Sequence, residues 1–353
     1  MSTLPFVTIA MPCLNEERYI EFCLRSVMAQ DYPKARMEIL VADGMSIDAT
    51  REIIGRLSHE DGRIRMIDNP DKIQAAGMNR MIRASKGDVI VRMDVHCEYA
   101  QDYVSRCIEA LEKSGADNAG GAQRARARTL FQKALCAALD SPLGVGGARY
   151  RSVDNEGFVD TVFLGAFRRT VFVRIGMYDA KAITNEDAEL NQRIIEAGGK
   201  VYQSKDVVAH YYPRASFAAL AKQYYKYGKG RARTLLKHRK FLSLRPAIPF
   251  VGLLGSTGLL ATSHLQPLTP FAFGGYAIAT LAEAIRVGRK AGALAVPIVW
   301  GIFPVLHVSH GTGFAVGLVE YAIKRDWPRE AEKLDGEGDE AELATNGVPA
   351  GTG

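Results

Sequence analysis

Up to about residue 210, short β-branched runs alternate with stretches of helical periodicity, and this alternation restricts the chain to a layered α/β fold. Phe6–Met11 reads as a buried strand, after which Ile20, Leu24, Val27 and Met28 recur at helical spacing. Met37–Ala42 predicts a second strand, followed by a helix capped by Asp48. Arg63–Ile67 predicts a third strand, Gln74–Ala84 a helix and Val89–Met93 a fourth strand. Strands joined through helices pair in parallel, with helices on both faces. Ligands bind such sheets beyond the carboxyl ends of the strands, which here lie at Pro12, Asp43 and Asp94.

The chain has 353 residues, enough for about two domains at ~150 residues each. With 47% hydrophobic and 24% charged residues it can bury a core, which excludes wholesale disorder. Five cysteines without a C-x-x-C pair predict reduced thiols and no zinc site. No basic segment with a long apolar run precedes the first strand, so this part of the chain is expected to work in the cytoplasm. A net charge of +6 suits either nucleic acid or anionic lipid. Eight Lys or Arg and no acid fall between Lys226 and Arg245, immediately before an apolar stretch. No zinc finger or RNP-like aromatic pattern accompanies them, so the expected partner is the membrane surface and not nucleic acid.

Pro246–Leu265 and Leu268–Ile285 approach the ~20 apolar residues that cross a bilayer and predict a spanning hairpin. Basic residues on both flanks would leave both ends in the cytoplasm. Ala291–Ile323 reads as one tilted span or a re-entrant pair, and a buried helical core is the other reading of all three stretches. From Asp335 the tail is acidic, then Gly-rich, and is expected to be disordered. The expected organisation is a nucleotide-binding α/β domain over 1–230, a basic juxtamembrane segment over 231–245, transmembrane helices over 246–326 and a polar tail over 327–353.

No G-x-G-x-x-G follows the first strand, and neither a P-loop nor a G-x-S-x-G occurs. Four acidic clusters sit at strand ends instead. In Pro12-Cys13-Leu14-Asn15-Glu16-Glu17 the acids could oppose a helix dipole or meet a ligand. Asp43 ends the second strand, where Asp-Gly serves as turn chemistry or as an acceptor for a nucleobase or ribose. On an extended segment Asp94 and His96 would point to one side and could face one ion, Mg²⁺ or Mn²⁺. Thr184 and Asp187 fit a capping box, an alternative to a chemical role for Glu186 and Asp187. Arg168 and Arg169 could contact phosphate or face solvent.

Together, VTIAMPCLNEE, VADGMSIDAT, the Asn79-containing helix before KGD, RMDVH, FLGAFRR and TNEDAELNQRI resemble the family 2 glycosyltransferases with a GT-A fold, over about residues 5–230. Within that family the sequence is similar to bacterial exopolysaccharide enzymes of the succinoglycan type, where D-x-H also replaces D-x-D and apolar C-terminal segments follow. The resemblance implies a uridine pocket lined by Pro12, Glu16 and Asp43, with Lys72 or Gln74 nearby. It places Asp94 on the ribose and metal side, His96 as the second metal ligand, and Asp187, beside Glu186, as the base. Gln223-Tyr224-Tyr225-Lys226-Tyr227-Gly228 looks like a variant of the Q-x-x-R-W element, with Gln223 and Lys226 toward acceptor or diphosphate; Arg and Trp are both missing, and an amphipathic helix at the lipid interface is the other reading.

The implied activity is inverting transfer of a sugar, glucose by this resemblance, from a UDP-sugar to a lipid-linked saccharide, assisted by Mn²⁺ or Mg²⁺. The implied location is a multi-pass inner-membrane protein with its catalytic domain in the cytoplasm. Transfer to polyprenyl phosphate itself is the alternative within the class. A non-catalytic membrane component that only binds the nucleotide-sugar is favoured by His96 but opposed by Asp94, Glu186 and Asp187 together. A transporter fits poorly, because the apolar half carries little charge beyond His307 and His310.

Overall fold

The structure is a computed structural model that describes residues 4–145, 149–240, 244–328 and 330–335. Its strands are β1 (Val7–Cys13), β2 (Met37–Asp43), β3 (Ile64–Asp68), β4 (Val89–Arg92), β5 (Cys97–Tyr99), β6 (Asn118–Gly121), β7 (Arg124–Ala125), β8 (Gly157–Phe158), β9 (Phe163–Arg168), β10 (Val201–Gln203) and β11 (Ala209–Tyr211). Helices α1 (Ile20–Met28), α2 (Thr50–Glu60), α3 (Gln74–Ala84), α4 (Tyr103–Ser114), α5 (Leu130–Leu139), α6 (Pro142–Val145), α7 (Arg169–Ile175) and α8 (Glu186–Glu196) surround them. Four more follow: α9 (Phe217–His238), α10 (Ile248–Ala261), α11 (Thr269–Gly288) and α12 (Ala295–Lys324).

The main sheet runs β3-β2-β1-β4-β9-β6-β10-β8. Its first four strands are parallel, as the alternation requires, while β9 lies antiparallel between β4 and β6. Alternate side chains of β1 enter two cores: Val7, Ile9 and Met11 pack with α1, α2 and α4, and Ala10 faces α3, α7 and α8. A small sheet, β5-β11-β7, continues the fold beyond β4. All five cysteines are free thiols. Asp48 accepts the Thr50 amide at 3.1 Å, yet the cap position of α2 is Ala49. Arg168 and Arg169 are engaged within the protein: Arg168 bonds the Leu111 and Ala116 carbonyls, and Arg169 the Ser85 carbonyl. They tie β9 and the start of α7 to the C-terminal ends of α4 and α3.

The basic run departs from expectation. Helix α9 continues unbroken across position 230, and most of its cations meet protein carboxylates instead of lipid. Arg233 and Lys237 bond the fully buried Asp179, Lys237 and His238 reach Glu189, and Lys229 pairs with Glu320 of α12. Against the upward push of burial, these cations with Arg193 hold both Asp179 and Glu189 below the usual carboxylate range. A charge buried in a protein must be paired, and Asp179 and Glu189 lie about 50 to 60 residues upstream of Arg233, Lys237 and His238, out of reach of local pattern reading.

Among the apolar stretches, Gln266–Ala291 and Ala295–Lys324 are long and apolar enough to cross a membrane. Pro246–Leu265 is not. Its helix α10 has 14 residues, about 21 Å at 1.5 Å per residue against a hydrocarbon core of ~30 Å. Part of the polar tail expected over 327–353 is placed against the α/β domain: Met177 and Leu334 donate backbone bonds to Glu332 and Phe172, and Glu332 pairs with Arg83. The rest of it, 336–353, lies outside the described residues.

Helices α9 and α12 touch backbone to backbone. A Cβ at Gly228 would lie 2.1 Å from the His310 carbonyl oxygen, and one at Gly313 would lie 2.0 Å from that of Tyr225. Both neighbours are main chain and cannot rotate aside. Gly228→Ala should therefore cost about 1–3 kcal/mol or more by overpacking, read as a lowered thermal unfolding midpoint of the full chain in detergent. An unchanged midpoint would show that the helices separate freely.

Candidate active site

The site is organised by a residue that the sequence reading passed over. Arg92 ends β4 with its side chain only 3% exposed. Its Nε donates to Asp94 at 3.0 Å, and its Nη1 bonds Glu186 at 3.1 Å and also Asp187. One guanidinium thus draws three carboxylates together from β4 and the first turn of α8. Burial by itself would lower the Arg92 pKa, but Asp187, Asp94 and Glu186 more than reverse that and raise it well above normal. The signal was present in the sequence: an arginine finishing an otherwise apolar central strand, two residues before an aspartate, needs a buried counter-charge.

Asp187 has the opposite problem. Burial pushes its carboxyl up to about 7, with Glu186 and Asp94 adding to the push and Arg92 opposing it. It sits in the first turn of α8, but not as a cap. Asn185 adopts φ 61° at the cap position and makes no side-chain bond to the helix. Instead Asn185 and Thr184 donate to the Tyr227 and Lys226 carbonyls of α9, both at 3.1 Å. The capping box expected from Thr184 and Asp187 is therefore absent, which leaves Asp187 to the cavity.

That cavity has a volume of about 1170 Å³ and is lined by Gln74, Arg92, Asp94, Glu186 and Asp187. It continues past Tyr224 and Tyr227 of α9 to α10, α11 and α12. Gln74 Nε2 lies 3.3 Å from both Asp94 oxygens, so Gln74 steadies the carboxylate that faces the cavity.

The remaining candidates lie around this centre and do not line the cavity. Pro12 pairs with Ala42 at the end of β1. Glu16 and Glu17 precede α1 instead of opening it. The Glu16 amide donates to Thr50 Oγ1 at 2.7 Å and Asn15 Oδ1 accepts from the Ile47 amide at 3.0 Å, so the loops after β1 and β2 are laced together. Asp43 is fully buried, with Ser46 and Arg51 already bonded to its oxygens; a base reaching it must displace one of them. Lys72 is exposed in the turn before α3, with φ 57°.

The expectation that Asp94 and His96 share one side of a strand fails, because β4 stops at Arg92. Asp94–Cys97 form a turn closed by the Cys97 amide on the Asp94 carbonyl at 3.3 Å, while the Tyr99 hydroxyl donates to that carbonyl at 2.9 Å. His96 stands over Tyr19 with its Nε2 2.8 Å from Glu16. On α9, Gln223 bonds the Tyr227 hydroxyl at 2.9 Å and Lys226 is exposed; the residues turned to the cavity are Tyr224, Tyr227 and Arg231. Nor is this segment a free interfacial helix, since Tyr224, Gly228 and Gly230 are buried against neighbouring elements.

A divalent ion fits these residues in one mode. Three carboxylates against one guanidinium leave a formal excess of two negative charges, and Asp94 keeps 30% of its side chain exposed. Among the described residues no three His, Cys, Asp or Glu side chains are arranged so that they could hold a metal ion by themselves. The fit is to an ion held by one or two carboxylates together with substrate phosphates, as Mg²⁺ commonly is.

Comparison with known proteins agrees with this geometry. Residues 8–176 match the model of glycosyl transferase family 2. The chain is 33% identical over 316 residues to the succinoglycan biosynthesis protein ExoA of Rhizobium meliloti, covering 89% of this chain and 95% of the relative. It is 27% identical over 326 residues to a Methanococcus voltae enzyme named as a dolichyl N-acetyl-α-D-glucosaminyl phosphate 3-β-D-2,3-diacetamido-2,3-dideoxy-β-D-glucuronosyltransferase, covering 89% and 98%. The mannosyltransferase PcManGT of Pyrobaculum calidifontis, solved with GDP-Man and Mn²⁺, superposes with a TM-score of 0.59 at 17% identity, over 92% of this chain and 89% of that one. The α/β domain thus has the GT-A fold.

If Arg92 restrains the proton on Asp187, removing its charge raises that carboxyl further. An infrared titration, taken as the difference between wild type and Asp187→Asn, should give a midpoint near 7 for Asp187. The same difference on an Arg92→Gln background should move to higher pH. A wild-type midpoint at the ordinary aspartate value near 3.9 would show that the carboxyl is solvated.

Proposed function

The chain belongs to glycosyl transferase family 2 and is a glycosyltransferase; we propose that it moves a sugar, glucose in this reading, from a UDP-sugar to a lipid-linked saccharide during exopolysaccharide assembly. The observation that carries the proposal is a single cavity that joins the Arg92 carboxylate cluster to apolar helices α10 to α12. A water-soluble donor and an acceptor on a lipid can meet there. The exopolysaccharide setting is supported by the succinoglycan relative, and a lipid-linked substrate by the archaeal relative, whose name specifies a dolichyl-linked sugar phosphate. The two long apolar stretches support a seat in the membrane, and in this reading the α/β domain lies on the cytoplasmic side. The domain order 1–230, 231–245, 246–326 and 327–353 stays as the working division, although α9 bridges the first boundary.

In this mechanism Pro12, Glu16 and Asp43 surround the uridine, with Lys72 and Gln74 beside it. Asp94, with His96 as the second candidate ligand, would hold Mn²⁺ or Mg²⁺ against the donor diphosphate, and the ion would offset negative charge on the departing UDP. The Mn²⁺ and GDP-Man in the fold neighbour support such an ion. Asp187 takes the proton of the acceptor hydroxyl as that oxygen attacks the anomeric carbon from the face opposite UDP. A pKa near 7 suits this task, since the group is both ionised and basic near neutral pH. Arg92 fixes its orientation, and burial, with Glu186 beside it, keeps its proton affinity high. Because the base must be ionised, transfer should fall as the pH drops below about 7.

Membranes containing the protein, given UDP-glucose and a lipid-linked saccharide, should release UDP in a reaction abolished by EDTA and restored by Mn²⁺. General bases contribute ~10²–10⁴-fold, so Asp187→Asn should lose about that much turnover while still binding UDP. Absence of release from any of several UDP-sugars, with UDP binding intact, would overturn the proposed reaction.

A further inference from the structure

A second wall of the cavity carries cations that the chemistry at Asp187 does not use. Arg151, Arg231, Lys240 and Arg245 line it, against one carboxylate, Asp160, which pairs with Arg245 at 2.7 Å. Arg231 lies on the cavity face of α9 and forms no hydrogen bond or ion pair with any described residue. Beside burial, the groups acting on it most strongly are Tyr150, Asp160, Arg245 and Tyr227, none of them in the Arg92 cluster. Among the described residues Arg151 bonds a tyrosine and stacks near another, with Nη1 3.4 Å from the Tyr211 hydroxyl and its guanidinium 5.5 Å over the Tyr150 ring, while Asp140 lies within its electrostatic reach. Its buried Nε has no partner among those residues, and neither has the buried Nδ1 of His310 on α12, which lines the same cavity.

Buried donors without acceptors are costly, and a guanidinium is retained in such a place when an anion visits it. The wall next to these donors is apolar: Leu253 and Leu260 of α10 and Phe273 of α11 line the cavity, and these helices expose large apolar side chains outward as well. Phosphate oxygens match the fork geometry of arginine, and a hydrocarbon chain matches the neighbouring wall. A nucleotide would use the cations but gain little from the leucines.

We propose that Arg151 and Arg231, with His310, form the site for the diphosphate or phosphate of the acceptor lipid, whose chain leaves along α10 and α11 while its sugar reaches Asp187. This deepens the proposed function and rests on it for the identity of the acceptor. It replaces Gln223 and Lys226 as the acceptor-side groups of α9 with Arg231, one to two turns further on.

The test uses the full chain in detergent, without donor turnover. Affinities are measured for farnesyl diphosphate, farnesol, inorganic pyrophosphate and UDP, in wild type, Arg231→Gln and Arg151→Gln. Farnesyl diphosphate should bind at least tenfold more tightly than farnesol or pyrophosphate. Each substitution should weaken it at least tenfold and leave UDP affinity within twofold, which also shows that the variants are folded. Pyrophosphate binding as tightly as farnesyl diphosphate would overturn the proposal in favour of a free-phosphate pocket. Unchanged farnesyl diphosphate affinity in both variants would overturn it outright. An equal loss of UDP affinity in both, with unaltered unfolding midpoints, would assign the cations to the donor instead. A chain that binds the lipid diphosphate as described yet releases no UDP would sink the proposed reaction and leave this site standing.

Discussion

Arg92 sits where three demands meet. As the last residue of a central parallel strand it is surrounded by core and cannot reach water. A buried guanidinium without partners would be untenable, so its presence forces Asp94 and the start of α8 to close on it. That closure brings together a carboxylate two residues beyond the end of β4 and two from the start of a helix, 94 and 95 residues after Arg92. The cost of collecting them is burial first and mutual repulsion second, and it appears as the raised pKa of Asp187. Removing one partner of such a group costs more than the pair contributes, so the cluster holds together as a unit.

Helix α9 is the second joint. Its C-terminal half is docked on the α/β domain by Arg233 and Lys237 on Asp179 and by Lys237 and His238 on Glu189. Its Gly228 meets α12, and Gly230 leaves space for Thr184 and Asn185 at the start of α8. The helix therefore ties the loop that carries Glu186 and Asp187 to the apolar helices. A movement of α12 would be felt at the base through two carbonyls, those of Lys226 and Tyr227.

Much of this was legible in the sequence where the physics is local. Strand runs and helical spacing located β1 to β4 and α3, and with them the acids at the strand ends. What was hidden depends on contacts across the chain. Arg92 looked like part of a strand motif until its partners at 186 and 187 came into view. The basic run read as lipid-facing because Asp179 and Glu189 lie far upstream. Thr184 and Asp187 have capping-box spacing, yet the left-handed Asn185 sends their neighbours to α9. The D-x-H pair was placed on a strand that ends two residues too early, a boundary decided by the Tyr99 hydroxyl and not by propensity.

The central claim is a single displacement in which Asp187 deprotonates the acceptor on the face opposite the departing UDP. The stereochemistry at the anomeric carbon tests it most directly. With UDP-α-D-[1-¹³C]glucose as donor, the ¹³C and ¹H signals of the product's anomeric centre should report a β-linkage. An α-linked product would mean retention, and would contradict the role given to Asp187.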